Sequence, residues 1–309
     1  MNVILQILVL AAGFVLLVKG SDYFVDGSAG LAARFGIPQL VIGLTVVAMG
    51  TSAPEAAVSI TAAFRDNADI CVGNIVGSNI LNVLIILGIA SVIVPIRVAD
   101  STIRYEIPYM IGFSILLVFL GYDQTVDRLD GGILLAAFVA YLTYLFVCAR
   151  KNKCEEQPVH QTGLPKQLGY ILGGMAAIIL GSKLAVYAAT NIATLAGVSE
   201  RFIGLTIVAL GTSLPELFTS VAAARKGNAD IAIGNIVGSN IFNILFIVGL
   251  TSMITRVPYA PKFILDGAVM TGVGVLLLIC VLRKKQLTRV GGIIMLVCYA
   301  GYFAYLCQM

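Results

Sequence analysis

Apolar residues in this 309-residue chain form long blocks, and the short breaks between them carry most of the charged side chains. Most blocks are close to the ~20 residues that an α-helix needs to cross the hydrocarbon core of a bilayer. A small amphipathic stretch, 21–38, follows the first block as a candidate extension of it. The blocks predict ten membrane spans, at about 3–20, 39–64, 70–95, 105–122, 131–149, 168–194, 202–224, 231–255, 263–282 and 290–307.

Composition agrees with this pattern, because 59% of the residues are apolar, only 12% are charged and the mean hydropathy is +0.97. A soluble domain carries about twice that share of charged residues. The first block begins at Val3 without a basic leader, so it is interpreted as a span rather than a signal peptide. The six cysteines follow no disulfide or metal-site spacing. We therefore expect an all-α polytopic membrane protein that acts in the bilayer as a monomer, without a cofactor, a nucleic-acid partner or an obligate protein partner.

The two halves of the chain repeat each other. Residues 43–82 align without gaps on 204–243, at an offset of 161, and about two-thirds of the aligned positions are identical. Each half has five predicted spans, and an odd number forces the second half into the membrane upside down. Inverted repeats are typical of secondary transporters, whose site lies at the midplane where the halves meet. The predicted units are a first repeat (1–149, with motif 43–82), a loop (150–167) and a second repeat (168–309, with motif 204–243).

Lysine and arginine residues indicate the orientation. Fourteen of the twenty lie on the side of the predicted loop 150–166, and six lie on the other side. Because the richer side normally faces the cytoplasm, this loop is predicted to be cytoplasmic and both termini extracytoplasmic. We expect a multi-pass protein of the cell (inner) membrane.

A carboxylate lies in the middle of one span in each half. The stretch GTSAPE, 50–55, returns as GTSLPE, 211–216, and places Glu55 and Glu216 in hydrophobic runs. A charged group at this depth costs roughly 2.5–3.5 kcal/mol, so its presence points to function. Pro54 has no N–H and deprives the carbonyl four residues earlier of its helical donor. Spans 2 and 7 are therefore predicted to be broken helices that face a protein-lined site, with freed carbonyls as candidate ion ligands.

Spans 3 and 8 add a strip of polar side chains at a spacing of four, which places them on one helical face. Asparagine, serine and asparagine follow one another in each copy. Together with the two glutamates and the neighbouring hydroxyls they form a set of hard oxygen donors, which suits Ca²⁺ or Na⁺ better than a transition metal. Two carboxylates balance one Ca²⁺, two Na⁺ or two protons. For Asn74 and Asn235 a role in holding helices together is an equal alternative. The strip residues are Asn74, Ser78, Asn82, Asn235, Ser239 and Asn243.

The paired motifs GTSAPE…GNIVGSNILN and GTSLPE…GNIVGSNIFN resemble the two repeats of the Ca²⁺/cation antiporter superfamily, and within it the prokaryotic Na⁺/Ca²⁺ exchangers. The resemblance covers essentially the whole chain and implies that spans 1 and 6 slide across the remaining core. Some relatives, including K⁺-dependent ones, carry aspartate where this chain has Asn243, which counts against a K⁺ requirement here. The residues that the resemblance implies as ion ligands are Glu55, Glu216, Thr51, Ser52, Thr212, Ser213, Ser78, Asn82, Ser239 and Asn243, with the backbone carbonyls of Ala48 and Ala209.

The leading hypothesis is a Na⁺/Ca²⁺ antiporter that carries one ion species at a time through a shared site. A Ca²⁺/H⁺ antiporter of the same superfamily is the alternative, although the hydroxyl-rich motifs suit Na⁺ better. A cation channel is an alternative from another class, but duplicated inverted halves fit alternating access better than a symmetric pore. No Ser–His or Ser–Lys pairing lies in the spans, which argues against an intramembrane hydrolase or another enzyme.

Overall fold

A computed structural model describes residues 3–65, 67–151, 163–197 and 209–308. Eight helices in these ranges are long and apolar enough to cross a membrane, and one further span is a pair of helices bent by 49°. The start of predicted span 7, 202–208, and positions 152–162 of the predicted loop lie outside the described residues. The helices are α1 Val3–Phe35, α2 Gln39–Thr51, α3 Ala53–Phe64, α4 Ile70–Ile93, α5 Thr102–Asp123, α6 Arg128–Lys151, α7 Leu164–Leu195, α8 Ala209–Thr212, α9 Leu214–Arg225, α10 Ala229–Ile254, α11 Pro261–Leu282 and α12 Arg289–Gln308.

Predicted span 1 and the amphipathic stretch after it form one helix, α1, of 33 residues. The predicted broken span 2 is confirmed as α2 and α3, which meet at Ser52. The sequence did not predict the π-helical turns, in which the backbone widens. They lie within α2, α4, α5 and α10, at Gly43–Val47, Asn82–Leu87, Thr102–Glu106 and Asn243–Val248.

Four short strands in the described ranges join the two halves of the chain. They are β1 Ile96–Arg97, β2 Thr125–Val126, β3 Val257–Pro258 and β4 Gln286–Leu287. Strand β1 pairs antiparallel with β4, and β2 pairs antiparallel with β3. Each two-stranded sheet therefore takes one strand from each repeat, and the offset of 161 exchanges the two sheets. These pairings satisfy backbone groups in the connections between spans and tie the repeats together at two places.

Helices α1 and α7 pack against each other in antiparallel directions through glycines spaced at seven. A methyl group on Gly13 would lie 2.9 Å from the carbonyl oxygen of Gly181, and one on Gly20 would lie 2.9 Å from that of Gly174. Such a distance leaves no room for a side chain, so the backbones touch. Small residues are the usual means of close helix packing in lipid. The antiparallel contact between equivalent helices agrees with the predicted inversion of the repeats.

Helices α4 and α10 form the centre of the molecule. In their most apolar windows, 78% of the α4 residues and 94% of the α10 residues are buried, against 22% in α1 and 17% in α12. The polar residues of α4 and α10 therefore face protein rather than lipid. The predicted polar strips lie on the two helices that are best shielded from the bilayer, which is where polar groups in a membrane protein are expected.

Lys226 and Lys285 form ion pairs with aspartates in loops that the predicted spans place on the same side of the membrane. The Lys226 ammonium lies 2.7 Å from Asp26 and 3.5 Å from Asp22, which links the end of α9 to α1. Lys285 lies 2.7 Å from Asp100, and its hydrogen bond lowers the pKa of that exposed carboxyl. The side chains in these ion pairs are partly or largely exposed, so the pairs contribute little to stability. They agree with the predicted division of the loops between two sides.

Candidate ion-binding site

The two glutamates lie at equivalent places, in the first turn of the helix that follows each break. Glu55 is near the start of α3 and Glu216 near the start of α9, and each is 1% exposed. Their helices begin there because Pro54 and Pro215 fit the first helical turn, where no N–H is needed. The amino end of a helix also favours a negative charge. The backbone thus offsets part of the cost of burying each carboxylate.

Each glutamate is held by a serine from the other repeat. Ser52 donates a hydrogen bond of 2.9 Å to Oε1 of Glu216, and Ser213 donates one of 3.3 Å to Oε1 of Glu55. Both serines lie at the helix breaks and are almost completely buried. Because the bonds cross between the repeats, the two broken spans build one site rather than two. The structure brings together these four predicted residues.

Asparagines of α4 and α10 hold the same broken helices from the side. Asn74 donates to the backbone carbonyl of Glu55 at 3.3 Å, and Asn235 donates to that of Glu216 at 3.4 Å. Asn235 also accepts a 3.0 Å hydrogen bond from Thr51. Both asparagines therefore position the glutamate backbone, which is the role of holding helices together that was left open.

The remaining predicted ligands lie on α2, α4, α8 and α10. Ser239 donates to the carbonyl of Ala48 at 3.4 Å, so one predicted carbonyl ligand lies beside a predicted hydroxyl ligand. Ser78 is buried on α4. Thr212 is half-buried at the end of α8. Ala209 begins α8, and its side chain lies outside the described part of the chain.

Among the predicted ligands that the structure describes, four buried acceptor atoms have no hydrogen-bond partner: Oε2 of Glu55 and Glu216, and Oδ1 of Asn82 and Asn243. All four side chains are at most 1% exposed. A buried acceptor without a donor costs free energy, and a buried carboxylate costs more, unless a cation compensates. Two carboxylate and two amide oxygens are ligands that Ca²⁺ and Na⁺ accept. This donor set fits a hard cation as the cargo of the site.

The site has no third acidic or soft ligand in the described ranges. No group of three or more histidine, cysteine, aspartate or glutamate side chains is close enough there to hold a metal ion. The structure also shows a buried carboxylate that the sequence analysis missed, Glu106 of α5, which is 2% exposed. Its two oxygens accept hydrogen bonds from Tyr141 and Tyr144, at 3.3 and 2.9 Å. Glu106 is thereby satisfied by its own neighbours, in contrast to Glu55 and Glu216.

The two halves of the site are not equally closed. A cavity of about 500 Å³ lies between α4, α11 and α12, and Asn74, Ser78 and Asp266 line it. Asn74 is half-buried there, whereas its equivalent in the other repeat, Asn235, is completely buried. The cavity therefore reaches Asn74 and Ser78 on the α4 side of the site, whereas Asn235 on the α10 side is buried.

Two equivalent serines also differ between the repeats. Pro215 leaves the carbonyl of Gly211 without its helical donor, and Ser182 of α7 donates a 2.6 Å hydrogen bond to it. The equivalent hydroxyl, Ser21 of α1, is buried and has no hydrogen-bond partner in the part of the chain that is described. Ser182 of α7 is thus hydrogen-bonded to the break in the span of its own repeat, whereas Ser21 of α1 makes no such bond.

Comparison with known proteins agrees with this geometry. The sequence model of a family described as "Sodium/calcium exchanger protein" matches residues 5–147 and 166–308. The chain is 40% identical to the putative antiporter CaxA of Alkalimonas amylolytica, over 94% of this chain and 95% of that protein. It is 31% identical to the sodium/calcium exchanger MaX1 of Methanosarcina acetivorans, over 97% of both chains.

The fold is also that of a solved exchanger. A structure of the sodium-calcium exchanger NCX_Mj superposes with a TM-score of 0.86 at 33% sequence identity, over 98% of this chain and 99% of that one. Two matched repeats, relatives of full length and a common fold lead to one conclusion. The chain is a multi-pass membrane transporter, not an enzyme, and belongs to the sodium/calcium exchanger family.

Proposed function

We propose that this protein exchanges Na⁺ for Ca²⁺ across the membrane at one site between the two repeats. The observation that carries this is the set of four buried oxygens without partners, two from each repeat, on Glu55, Asn82, Glu216 and Asn243. Two carboxylates neutralise one Ca²⁺ or two Na⁺, so either species can occupy the site and exclude the other. The names of MaX1 and NCX_Mj describe the same exchange in related proteins.

The ligands are drawn from both repeats. In this proposal the two glutamates bind the cation in every loaded state, because they carry the charge. The hydroxyls of the breaks, the polar strips of α4 and α10 and two backbone carbonyls complete the shell. The proposed set is Glu55, Glu216, Thr51, Ser52, Thr212, Ser213, Ser78, Asn82, Ser239, Asn243, Ala48 and Ala209.

Access alternates between the two sides as α1 and α7 move together across the remaining helices. The backbone contact between α1 and α7 supports their motion as one unit. The serine asymmetry supports two states: the described one has the bond from Ser182 to Gly211, and the alternative has the equivalent bond from Ser21 to Gly50. By this account the repeats exchange roles in each half of the cycle.

Ser182→Ala is expected to depopulate the described conformation, and Ser21→Ala is expected to favour it. Each change removes one hydrogen bond from one state only, which corresponds to about a 2- to 12-fold shift in population. Spin labels at Leu180 of α7 and Ile279 of α11, both exposed, report the relative position of the helices. Pulsed dipolar spectroscopy of a variant without the native cysteines would measure the shift. Movement in the same direction by both variants would contradict the two-state assignment.

We place the protein in the cell (inner) membrane with its termini outside the cytoplasm, the loop 150–167 inside and one chain as the working unit. The distribution of lysine and arginine supports this orientation. The two repeats, 1–149 and 168–309, form the two halves of the transporter. Phe35 and Tyr122 are exposed residues that the proposed orientation places on the cytoplasmic and the outer side of the membrane. Labelling of a single cysteine at each position in intact cells tests the orientation, and only the cysteine at position 122 is expected to react with an impermeant reagent.

Uptake of ⁴⁵Ca²⁺ into proteoliposomes tests the exchange. An outward Na⁺ gradient is expected to drive Ca²⁺ accumulation, and outward K⁺ or H⁺ gradients of the same size are expected to drive none. The absence of a K⁺ requirement follows from Asn243, which leaves the site with two negative charges. Uptake driven by the pH gradient alone would instead establish a Ca²⁺/H⁺ antiporter. Single-channel currents far above carrier rates would establish a channel.

A further inference from the structure

Two further asparagines connect the repeats next to the predicted ligands Asn82 and Asn243. Asn79 of α4 and Asn240 of α10 are equivalent residues, 1% and 3% exposed. Nδ2 of Asn79 donates to the backbone carbonyl of Asn240 at 3.2 Å, and Nδ2 of Asn240 donates to that of Asn79 at 3.1 Å. Each carbonyl lies three residues before a π-helical turn and has a second lone pair for this donor. Each asparagine therefore donates one hydrogen bond to the backbone carbonyl of the other.

These bonds determine which way each amide points. A backbone carbonyl only accepts, so Nδ2 of Asn79 and Asn240 must face it, and Oδ1 must point away. Oδ1 of Asn240 then accepts from Nδ2 of Asn82 at 3.0 Å, and Oδ1 of Asn79 accepts from Nδ2 of Asn243 at 3.0 Å. Once Asn82 and Asn243 have turned their nitrogens to these acceptors, their oxygens face the other way. Those are the amide oxygens without hydrogen-bond partners described above.

The geometry points to Asn79 and Asn240 as positioning residues that make the amides of Asn243 and Asn82 present oxygen, not nitrogen, to the cation. An amide nitrogen in the same place would direct its hydrogens at a cation and repel it. The pairing is crossed, because Asn79 acts through Asn243 and Asn240 acts through Asn82. This inference rests on the proposed function, since it assumes that the site between the repeats binds the transported cation.

The crossed pairing makes a sharp test possible with alanine variants. Asn79→Ala leaves Asn243 without its acceptor, and we expect the KM for Ca²⁺ in Na⁺-driven uptake to rise about tenfold. In an Asn243→Ala background the same change is expected to have no further effect. In an Asn82→Ala background it is expected to keep its full effect. The mirrored cycle, Asn240→Ala with Asn82→Ala, serves if Asn79→Ala does not fold.

A matched control separates positioning from packing. Met270→Leu removes a sulfur that lies 3.6 Å from Nδ2 of Asn79 but leaves the amide bonds in place, and its KM is expected to equal that of the unchanged chain. An increase in KM from Asn79→Ala that is equal in the Asn243 and Asn82 backgrounds would overturn the inference. So would an unchanged KM in Asn79→Ala.

Binding can be read without transport. Ca²⁺ raises the unfolding temperature of a protein that binds it in the folded state, so a titration of Tm gives a relative affinity for each variant. If the unchanged chain is stabilised by Ca²⁺ but shows no Na⁺-driven uptake, the proposed exchange fails. The positioning inference is then decided by the Tm titrations of the same double-mutant cycle.

Discussion

Glu55→Gln and Glu216→Gln are each expected to abolish Na⁺-driven ⁴⁵Ca²⁺ uptake, with a loss of at least about 100-fold in Ca²⁺ affinity. Glutamine keeps the shape and an oxygen that can accept the serine hydrogen bond, but it removes one of the two charges that face the cation. Removing one partner of a buried charge interaction costs about 3–5 kcal/mol, and 1.4 kcal/mol is tenfold in affinity. Initial uptake rates in proteoliposomes and Ca²⁺-dependent Tm measure the two effects.

Glu106→Gln is the matched control, because Glu106 is also a buried glutamate in a span. Each of its oxygens accepts a hydrogen bond from Tyr141 or Tyr144, whereas Glu55 and Glu216 each have an oxygen without a partner. We expect Glu106→Gln to change the unfolding temperature and to have little effect on the uptake rate. Full uptake in Glu55→Gln or Glu216→Gln, or equal losses in all three variants, would remove the basis of the site assignment.

Gly174→Ala is expected to reduce exchange at least about tenfold by separating α7 from α1. A methyl group at this position would lie 2.7 Å from both the carbonyl oxygen of Gly20 and the backbone nitrogen of Phe24. Backbone atoms cannot move aside as a flexible side chain can, and overpacking of this kind typically costs about 1–3 kcal/mol. The strain falls on the pair of helices that is proposed to move as one unit. Uptake rate and Tm together measure its effect.

Gly173→Ala tests whether the effect is specific to the contact. Gly173 is the neighbouring residue on α7, but it is exposed on the lipid side. The two substitutions have the same helix propensity and lie on the same helix, so they differ in what the methyl group meets. Gly173→Ala is expected to transport at the unchanged rate. Comparable losses from both glycines would indicate a general requirement for a flexible α7 instead of close packing.

The motif GTSAPE and its repeat were enough to predict where the chain breaks and that Glu55 and Glu216 are buried. The physical reason is local: Pro54 and Pro215 act on the carbonyl four residues earlier, whatever the surroundings. That a charge in a span is costly and therefore points to function likewise follows from its position in a hydrophobic run. The repeat at an offset of 161, with five spans in each half, sufficed to predict inverted halves. The antiparallel packing of α1 and α7 agrees with that prediction.

Asn79, Asn240 and Glu106 were missed because sequence spacing does not show which buried polar groups satisfy one another. Asn79 is identical in both copies of the motif, as are the predicted ligands, so the repeat alone does not separate a ligand from the residue that orients it. The π-helical turns were missed for a related reason. The widening begins at Asn82 and Asn243, whose amides donate hydrogen bonds to the opposite repeat.

The sequence by itself determined that the chain spans the membrane, that it is a duplicated and inverted transporter, and that two glutamates face protein rather than lipid. These conclusions depend on hydrophobic length, charge cost and proline geometry, which act within a few residues. Only the tertiary structure decided that Ser52 holds Glu216 and Ser213 holds Glu55, that four oxygens of the predicted ligands are left without partners, and that Ser182 is bound while Ser21 is not. The serine–glutamate bonds join residues 164 and 158 positions apart and exist only once the two repeats have packed together. The bond from Ser182 to Gly211 spans 29 positions within one repeat, and it depends on how α7 packs against the broken helix.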